Sequence, residues 1–203
     1  MFSRSLALKQ LSYLDQLTSK IAPRLAAQGW GSDWKTVISI LLSARTRDEV
    51  TIVVCERLFK KYSSLDSLAS ASLKDLEKDL GSINFFRNKA KSVFGCSKML
   101  VKDFGGVVPR NFEKLLLLPG VGRKTANVFL SEFGSPAIGV DTHVFRLSKK
   151  LGWSKSNTAE GVENDLKLLF LKSDWSRINL VLVRFGKTLR KNEDEIIARV
   201  KKI

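Results

Sequence analysis

The sequence is short of cysteine, histidine, acidic residues and long apolar runs. Its 203 residues include 2 cysteines, 1 histidine and 20 acidic side chains against 35 basic ones. Two isolated cysteines fit a reducing compartment. No apolar run reaches the roughly 18 residues that a membrane-spanning helix needs. The opening residues MFSRSLALKQL are too short and polar for a signal peptide. The expectation is therefore a cytoplasmic protein without a membrane span.

What the sequence has in excess is positive charge. The formal net charge is +15 at pH 7, and the isoelectric point is near 10.0. Such an excess favours a polyanionic partner, and the attraction should fall steeply with salt concentration. The length corresponds to one or two domains and is enough to bury a substantial core.

The apolar pattern predicts an all-α fold. Leucines recur at helical spacing near the start, and the apolar segment 36–42 predicts a buried helix with Asp33 as its N-cap. Ser72 is expected to cap a later helix, and Asn157 with Glu160 to form a capping box. No alternating stretch is long enough to predict a sheet.

The most informative stretch is LLLLPGVGRKTA, which predicts a hairpin between two helices. Pro119 lacks the amide donor needed to continue the leucine-rich helix. Gly120 and Gly122 can take backbone angles closed to other residues, and the next helix should begin at about Arg123. Its first amides and the positive end of its dipole form an anion site. A DNA phosphate is the expected anion, although a Pro-Gly-x-Gly turn alone is equally typical of an ordinary helix corner.

Four segments, taken in order, resemble the endonuclease III branch of the helix-hairpin-helix DNA glycosylases. They are LLSARTRD at 41–48, INFFRNKA at 83–90, LPGVGRKTA at 118–126 and VDTHVFRL at 140–147. The similarity spans roughly residues 35–190.

The resemblance implies a particular domain organisation. Two helical subdomains are expected to flank a DNA-binding cleft. One comprises residues 28–135, with the hairpin at about 112–133, and the other comprises 1–27 plus 136–203. The chain would cross between them near Gly134 and Pro136, which would place Lys124 and Asp141 on opposite walls of the cleft.

Lys124 matches the family's nucleophilic lysine. A neutral amine there would attack the sugar C1′ carbon, expel the base and leave a Schiff base, after which the 3′ phosphate leaves by β-elimination. Burial, Arg123 and the positive helix terminus all favour the neutral amine. The resemblance thus implies a bifunctional glycosylase and abasic-site lyase. It would act as a monomer on double-stranded DNA that carries an oxidised pyrimidine or an abasic site. A phosphate-contacting lysine is the alternative role.

Asp141 matches the family's catalytic aspartate. A carboxylate there would stabilise the positive charge that develops on the sugar and accept a proton from the nucleophile. The alternative is an N-cap for a helix over 142–151, and the two roles can coexist. His143 is expected to support this segment, and Arg146 to orient it or to pair with an acidic neighbour.

A base must leave the stack before this chemistry, and other side chains must fill the gap. Arg45 stands where the family has a glutamine, and Phe85 matches an apolar residue of the second loop, so both are expected to enter the gap. For Phe85 the alternative is core packing beside Phe86. Asp48 is expected to cap the next helix rather than to line the pocket.

The other expected DNA contacts lie in the hairpin and near the C-terminus, where the basic residues have the alternative role of a solvated helix end. They are Gly120, Val121, Gly122, Arg123, Thr125, Arg184, Lys187, Arg190 and Lys191.

The resemblance also raises the question of cofactors. Most relatives carry a C-terminal loop whose four cysteines bind a [4Fe–4S] cluster. This chain has only Cys55 and Cys96, both far from its C-terminus, so no cluster is expected. Carbonyl oxygens of Leu116, Leu118 and Val121 match positions that hold a hard structural cation in relatives.

Two other functions stay open on the sequence. One is a monofunctional glycosylase that removes mismatched thymine, uracil or adenine, and the other is a non-catalytic DNA-binding protein. Lys124 argues against the first, because hydrolysis needs no lysine. Lys124 and Asp141 together argue against the second, because a pure binder needs neither.

Overall fold

The structure, a computed structural model, describes residues 3–203 and confirms the all-α prediction. Within that range the chain forms helices and no strand. The α-helices are α1 Arg4–Thr18, α2 Asp33–Ser43, α3 Asp48–Lys61, α4 Leu65–Ala69, α5 Leu73–Asp79, α6 Phe86–Phe104, α7 Phe112–Leu116, α8 Arg123–Glu132, α9 Thr142–Leu151, α10 Ala159–Leu169, α11 Trp175–Thr188 and α12 Glu193–Val200. Two short 3-10 helices, Lys172–Asp174 and Arg190–Asn192, flank α11.

The chain forms two compact units. One is the continuous stretch Arg24–Phe129, and the other joins the stretch ending at Pro23 to Leu130–Ile203. The boundary falls inside α8, a few residues before Gly134 and Pro136. None of the described helices is both long and apolar enough to cross a membrane.

The unit Arg24–Phe129 is built around α6. This helix packs against α2, α4 and α5, while α2 also packs against α3. The middle of α2 is buried almost all round, from Thr36 to Leu42, which explains its nearly continuous apolar sequence. The rings of Trp30 and Trp34 pack nearly perpendicular to the ring of Phe59 on α3. Their centroids lie 5.0 and 5.3 Å from the Phe59 centroid, respectively.

The second unit surrounds α11, which packs against α1 and α9. Its core includes Leu11, Leu14, Val144, Leu182 and Phe185. A buried glutamine, Gln10, joins three distant parts of this unit. Its amide donates to the carbonyl of Val200 at 3.0 Å, and its carbonyl accepts from the Trp153 indole at 2.8 Å. The last residue of α12 is therefore tied to the core through a buried amide whose donor and acceptor both have partners.

An ionic cluster fastens α12 to α9. Glu193, whose side chain is only 5% exposed, accepts hydrogen bonds from Arg146 and from Lys150, the latter at 2.9 Å. Lys150 also reaches Asp194 at 2.6 Å. Burial alone would raise the pKa of Glu193, but the hydrogen bonds from the two cations outweigh it and hold that pKa below its ordinary value. Arg146 thus takes the second of its two predicted roles and pairs with an acidic neighbour.

We expect Glu193→Gln to lower the free energy of unfolding by about 1–2 kcal/mol at neutral pH, because one charged acceptor of two cations is lost. Since the folded-state pKa is depressed, this contribution is present above pH 4.5 and is lost as the pH falls through the folded value. Urea unfolding at neutral and acidic pH would measure it.

The matched control for this change is Glu195→Gln on the same helix. Glu195 pairs with Arg199 at the surface, where its side chain is 59% exposed, and such pairs contribute little. A destabilisation of Glu193→Gln that equals the control, or that persists undiminished in acid, would contradict the role of the cluster.

Two predicted caps are confirmed. Ser72 is the N-cap of α5, and its side chain accepts from the amide of Asp75 at 3.1 Å. Asp141 is the N-cap of α9, and its Oδ1 accepts from the amide of Val144 at 2.9 Å.

Three other predicted caps are wrong, each by one residue. Ser32 precedes α2 and leaves Asp33 in the first turn, where it pairs with Arg110 at 3.0 Å. Arg47 holds the N-cap position before α3, so Asp48 is the first helical residue. Each helix starts where a backbone carbonyl can first accept from the residue four positions later; Ser32 and Arg47 supply that carbonyl at 3.0 Å.

The third correction concerns α10. Thr158 caps this helix and accepts from the amide of Gly161 at 3.0 Å. Asn157 instead accepts from Lys149 Nζ at 2.6 Å. With several short polar side chains in a row, the one that reaches the amide depends on the approach of the chain.

Candidate nucleic-acid and catalytic site

Pro119 and Gly120 form the turn between α7 and α8. Gly120 has a φ of 81°, a left-handed conformation that glycine adopts without strain. The amide of Val121 then donates to the carbonyl of Leu118 at 3.0 Å. This closed turn leads directly into the first residue of α8.

Gly120 also lies against two other helices. A Cβ at this position would come within 2.5 Å of Ser92 Cβ on α6 and 3.0 Å of Leu41 Cδ1 on α2. The turn therefore packs on α2 and α6, the two helices whose ends adjoin Arg45 and Phe85. Gly122 differs, because it has no positive φ and, apart from its neighbours along the chain, no described residue has a heavy atom within 4 Å of its Cβ position. The backbone freedom that the sequence offers at both glycines is thus used at Gly120 and not at Gly122.

The start of α8 carries the predicted nucleophile. Lys124 is the second residue of α8, and its side chain is half-buried. The guanidinium of Arg123 lies 5.3 Å from the centre of the Phe112 ring. Thr125 is only 7% exposed, so a phosphate contact there would use its backbone amide. A helix does not use its first amides in its own hydrogen-bond ladder, and its positive end attracts anions.

Arg45 and Phe85 share an unusual backbone. Within residues 3–203 they are the two non-glycine residues with positive φ, at 56° and 59°. For such residues this conformation costs about 1–2 kcal/mol each, and it persists only when the surroundings enforce it. Phe85 is 54% exposed, which rules out the alternative of core packing beside Phe86. Strain at two exposed positions is typical of functional sites.

Two residues that sequence reasoning did not single out hold this region together. Asn84 Nδ2 donates to the carbonyl of Arg45 at 2.7 Å. Lys89, which is 7% exposed, donates from Nζ to the carbonyl of Leu42 at 2.8 Å and to Thr46 Oγ1 at 2.7 Å. Burial lowers the pKa of Lys89 from 10.5 to about 8. The only sequence signal was a lysine at a core-facing position of an amphipathic helix.

Asp141 lies in the other unit, at the start of α9. One of its carboxylate oxygens, Oδ1, is anchored by the Val144 amide, and Oδ2 takes no part in this cap. The residue is half-buried. The carboxylate is therefore oriented by the helix and keeps one oxygen available for chemistry.

His143 packs against the backbone of α11. Gly186 makes room for it, because a Cβ there would lie 2.4 Å from His143 Nδ1. Burial lowers the pKa of His143. The charge of Asp141 offsets part of this effect, while the charges of Lys187 and Arg146 lower the pKa further. The ring is half-buried, and its role in supporting the Asp141 segment stays a prediction.

The predicted basic contacts near the C-terminus lie on two neighbouring elements. Arg184 and Lys187 are half-buried on α11, while Arg190 and Lys191 are exposed on the 3-10 helix that follows. Burial raises the pKa of Glu132, and the nearby charge of Arg184 offsets part of that effect. The role of these four residues in DNA binding stays a prediction.

The cysteines are unlike metal ligands. Cys55 on α3 and Cys96 on α6 are free and fully buried, and burial raises the pKa of each thiol to about 12. Among the described residues no group of three or more histidine, cysteine or acidic side chains has the arrangement of a metal site. For the predicted cation, Leu118 and Val121 are buried while Leu116 is 41% exposed.

The sequence matches known proteins over most of its length. Residues 38–171 match the family described as HhH-GPD superfamily base excision DNA repair protein. The chain is 40% identical over 185 residues to an endonuclease III of Thermotoga maritima and 41% identical over 187 residues to one of Bacillus subtilis. These alignments cover 90% of this chain, and 87% and 84% of the two relatives.

The fold matches solved structures as well. It resembles the structure of a trapped endonuclease III–DNA covalent intermediate in an estranged-adenine complex, with a TM-score of 0.83 and 35% identity, covering 92% of this chain and 87% of that one. A thermostable thymine-DNA glycosylase has a TM-score of 0.78 at 22% identity and shares the fold. This chain therefore belongs to the HhH-GPD superfamily of base excision DNA repair proteins, as an endonuclease III homologue.

Proposed function

We propose that this chain removes oxidised pyrimidines from double-stranded DNA and then cleaves the resulting abasic site, with Lys124 as nucleophile. The observation that carries this function is Lys124 itself, a half-buried amine in the first turn of α8. It directly follows a hairpin turn packed so tightly that Gly120 has no room for a side chain. A relative with this fold has been trapped as a covalent intermediate with DNA, which requires a protein nucleophile in that relative.

The chemistry follows from an amine at this position. Lys124 Nζ, in its neutral form, attacks C1′ of the damaged nucleotide, and the bond between C1′ and the base breaks. Proton loss from nitrogen and opening of the sugar leave an iminium that makes the C2′ hydrogen acidic. Removal of that proton expels the 3′ phosphate, and water then hydrolyses the iminium to free the lysine.

Asp141 has two tasks in this reaction. Its free carboxylate oxygen stabilises the positive charge that builds on the sugar as the base departs. The same oxygen accepts the proton that the attacking amine releases. The anchored oxygen holds the group in place through the α9 amide, so the cap and the catalytic role coexist.

Two features favour DNA binding, the positive net charge and the hairpin. A net charge of +15 favours a polyanion, and the start of α8 supplies amides and a positive dipole end for a phosphate. A backbone-carbonyl cation site at Leu116, Leu118 and Val121 would place one further positive charge beside that phosphate.

We also propose that the chain works without an iron–sulfur cluster. Ligation of such a cluster takes four thiolates. The two cysteines lie on different helices as buried thiols that resist deprotonation. Gln10 and the Glu193 cluster instead hold the C-terminal helix in place.

Borohydride trapping tests the function directly. The wild-type protein is incubated with a duplex that carries one thymine glycol, and separately with a duplex that carries one abasic site. We expect a covalent adduct with both, because borohydride reduces the iminium to a stable amine.

An undamaged duplex of the same sequence is the control. Trapping on the abasic duplex alone would keep the lyase and overturn the assigned base. Base release without any adduct would favour a monofunctional glycosylase, and binding without either product would favour a non-catalytic DNA-binding protein.

A further inference from the structure

The loops that carry Arg45 and Phe85 are joined to each other. Arg45 follows the end of α2, and Phe85 is the N-cap of α6. The Asn84 side chain bridges them by donating to the Arg45 carbonyl at 2.7 Å. The donor therefore comes from the residue next to Phe85, and the acceptor belongs to Arg45 itself.

Lys89 makes a second connection, from the buried side of α6. Lys89, one turn into α6, is buried and donates to Leu42 and Thr46, which bracket Arg45 on either side. A buried ammonium that keeps two acceptors resists displacement, because leaving either unpaired is costly. Three hydrogen bonds thus join the segment 42–46 to the segment 84–89, one from Asn84 and two from Lys89.

The two side chains meet at the surface. The Arg45 guanidinium carbon lies 4.8 Å from the centre of the Phe85 ring, within range of a cation–π contact. Both residues are exposed, and both hold the left-handed backbone.

We propose that Asn84 and Lys89 are positioning residues that lock the two loops together, so that Arg45 and Phe85 enter the DNA as one stacked wedge. This inference rests on the proposed function. The wedge occupies the gap left when the damaged base leaves the stack, with the ring against neighbouring bases and the guanidinium toward the orphaned partner. A stack formed in advance costs less ordering on binding than two independent side chains.

The test compares two substrates, because only one of them needs the wedge. A thymine glycol duplex requires extrusion of a stacked base, whereas a single-stranded abasic oligonucleotide requires none. Asn84→Ala is expected to lower kcat/KM on the duplex by about tenfold, the scale of one hydrogen bond. Cleavage of the single strand should be unchanged.

Matched variants distinguish a loss of loop positioning from a general loss of folding or activity. Asn88→Ala makes the same change at an exposed position one turn along α6 and should behave as wild type on both substrates. Asn84→Asp should be at least as impaired as Asn84→Ala, because a carboxylate faces the Arg45 carbonyl. Thr46→Val, which removes one acceptor of Lys89, should lower the duplex activity in the same selective way.

A double-mutant cycle tests the single wedge. If Arg45 and Phe85 act as one unit, combining Arg45→Met with Phe85→Leu should cost little more than the worse single change. Additive losses, or Asn84 variants that match Asn88→Ala, would overturn the inference while leaving the proposed function intact. A wild-type protein inactive on both substrates would instead overturn the function, and the inference with it.

Discussion

Lys124→Ala is expected to abolish borohydride trapping on both the thymine glycol duplex and the abasic duplex. Without an amine no iminium forms, so strand cleavage by β-elimination should fall to background. Base release should fall at least about a hundredfold, because the covalent route is lost. Trapping gels and single-turnover base release measure the two steps separately.

The hairpin offers a matched control for this change. Lys114 on α7 is also a lysine of this motif, and it is exposed. Lys114→Ala removes the same charge and should keep full trapping. An adduct that survives in Lys124→Ala would assign the nucleophile to another amine. Base release that survives without strand cleavage would confine Lys124 to the lyase step and leave removal of the base to water.

Asp141→Asn should lose nearly all turnover while the protein stays folded. The amide oxygen of asparagine can still accept from Val144, so the cap of α9 survives. The negative charge is lost, and with it the stabilisation of the developing positive charge and the proton acceptor. We expect kcat to fall by about 10²- to 10⁴-fold, with little change in Tm.

Asp141→Ala separates the two roles of this residue. It removes the charge and the cap together, so it should lose the same activity and also about 1 kcal/mol of stability. Rate measurements with thermal unfolding on both variants make the comparison. An active Asp141→Asn protein would leave the residue as a cap alone.

The function of the chain could be predicted from the sequence because its motifs consist of residues that lie close together along the chain. Pro119 and Gly120 end one helix and turn the chain into the next, and each acts through its own backbone. Lys124 then falls in the first turn of α8 by sequence position alone. The same holds for Ser72 and Asp141, whose side chains cap the amide three residues later. Apolar residues that recur at helical spacing likewise predicted the all-α fold.

Predictions that depended on fine competition between neighbours were less accurate. The N-caps of α2 and α10 are Ser32 and Thr158, each one residue away from the predicted position. Adjacent short polar side chains differ little in capping energy, so the path of the incoming chain decides between them. Gly122 belongs to the motif and yet has room for a side chain, which only the surrounding atoms reveal.

By itself the sequence determined the helical class, the hairpin, the place of Lys124 at the start of α8 and of Asp141 before α9, and the excess of positive charge. Only the tertiary structure decided how Asn84 and Lys89 join the loops of Arg45 and Phe85, and how Glu193 fastens the last helix. The reason is distance along the chain. Asn84 and Arg45 are 39 residues apart, and Lys89 and Leu42 are 47 apart. A buried donor must find an acceptor, but packing alone brings the particular acceptor within reach.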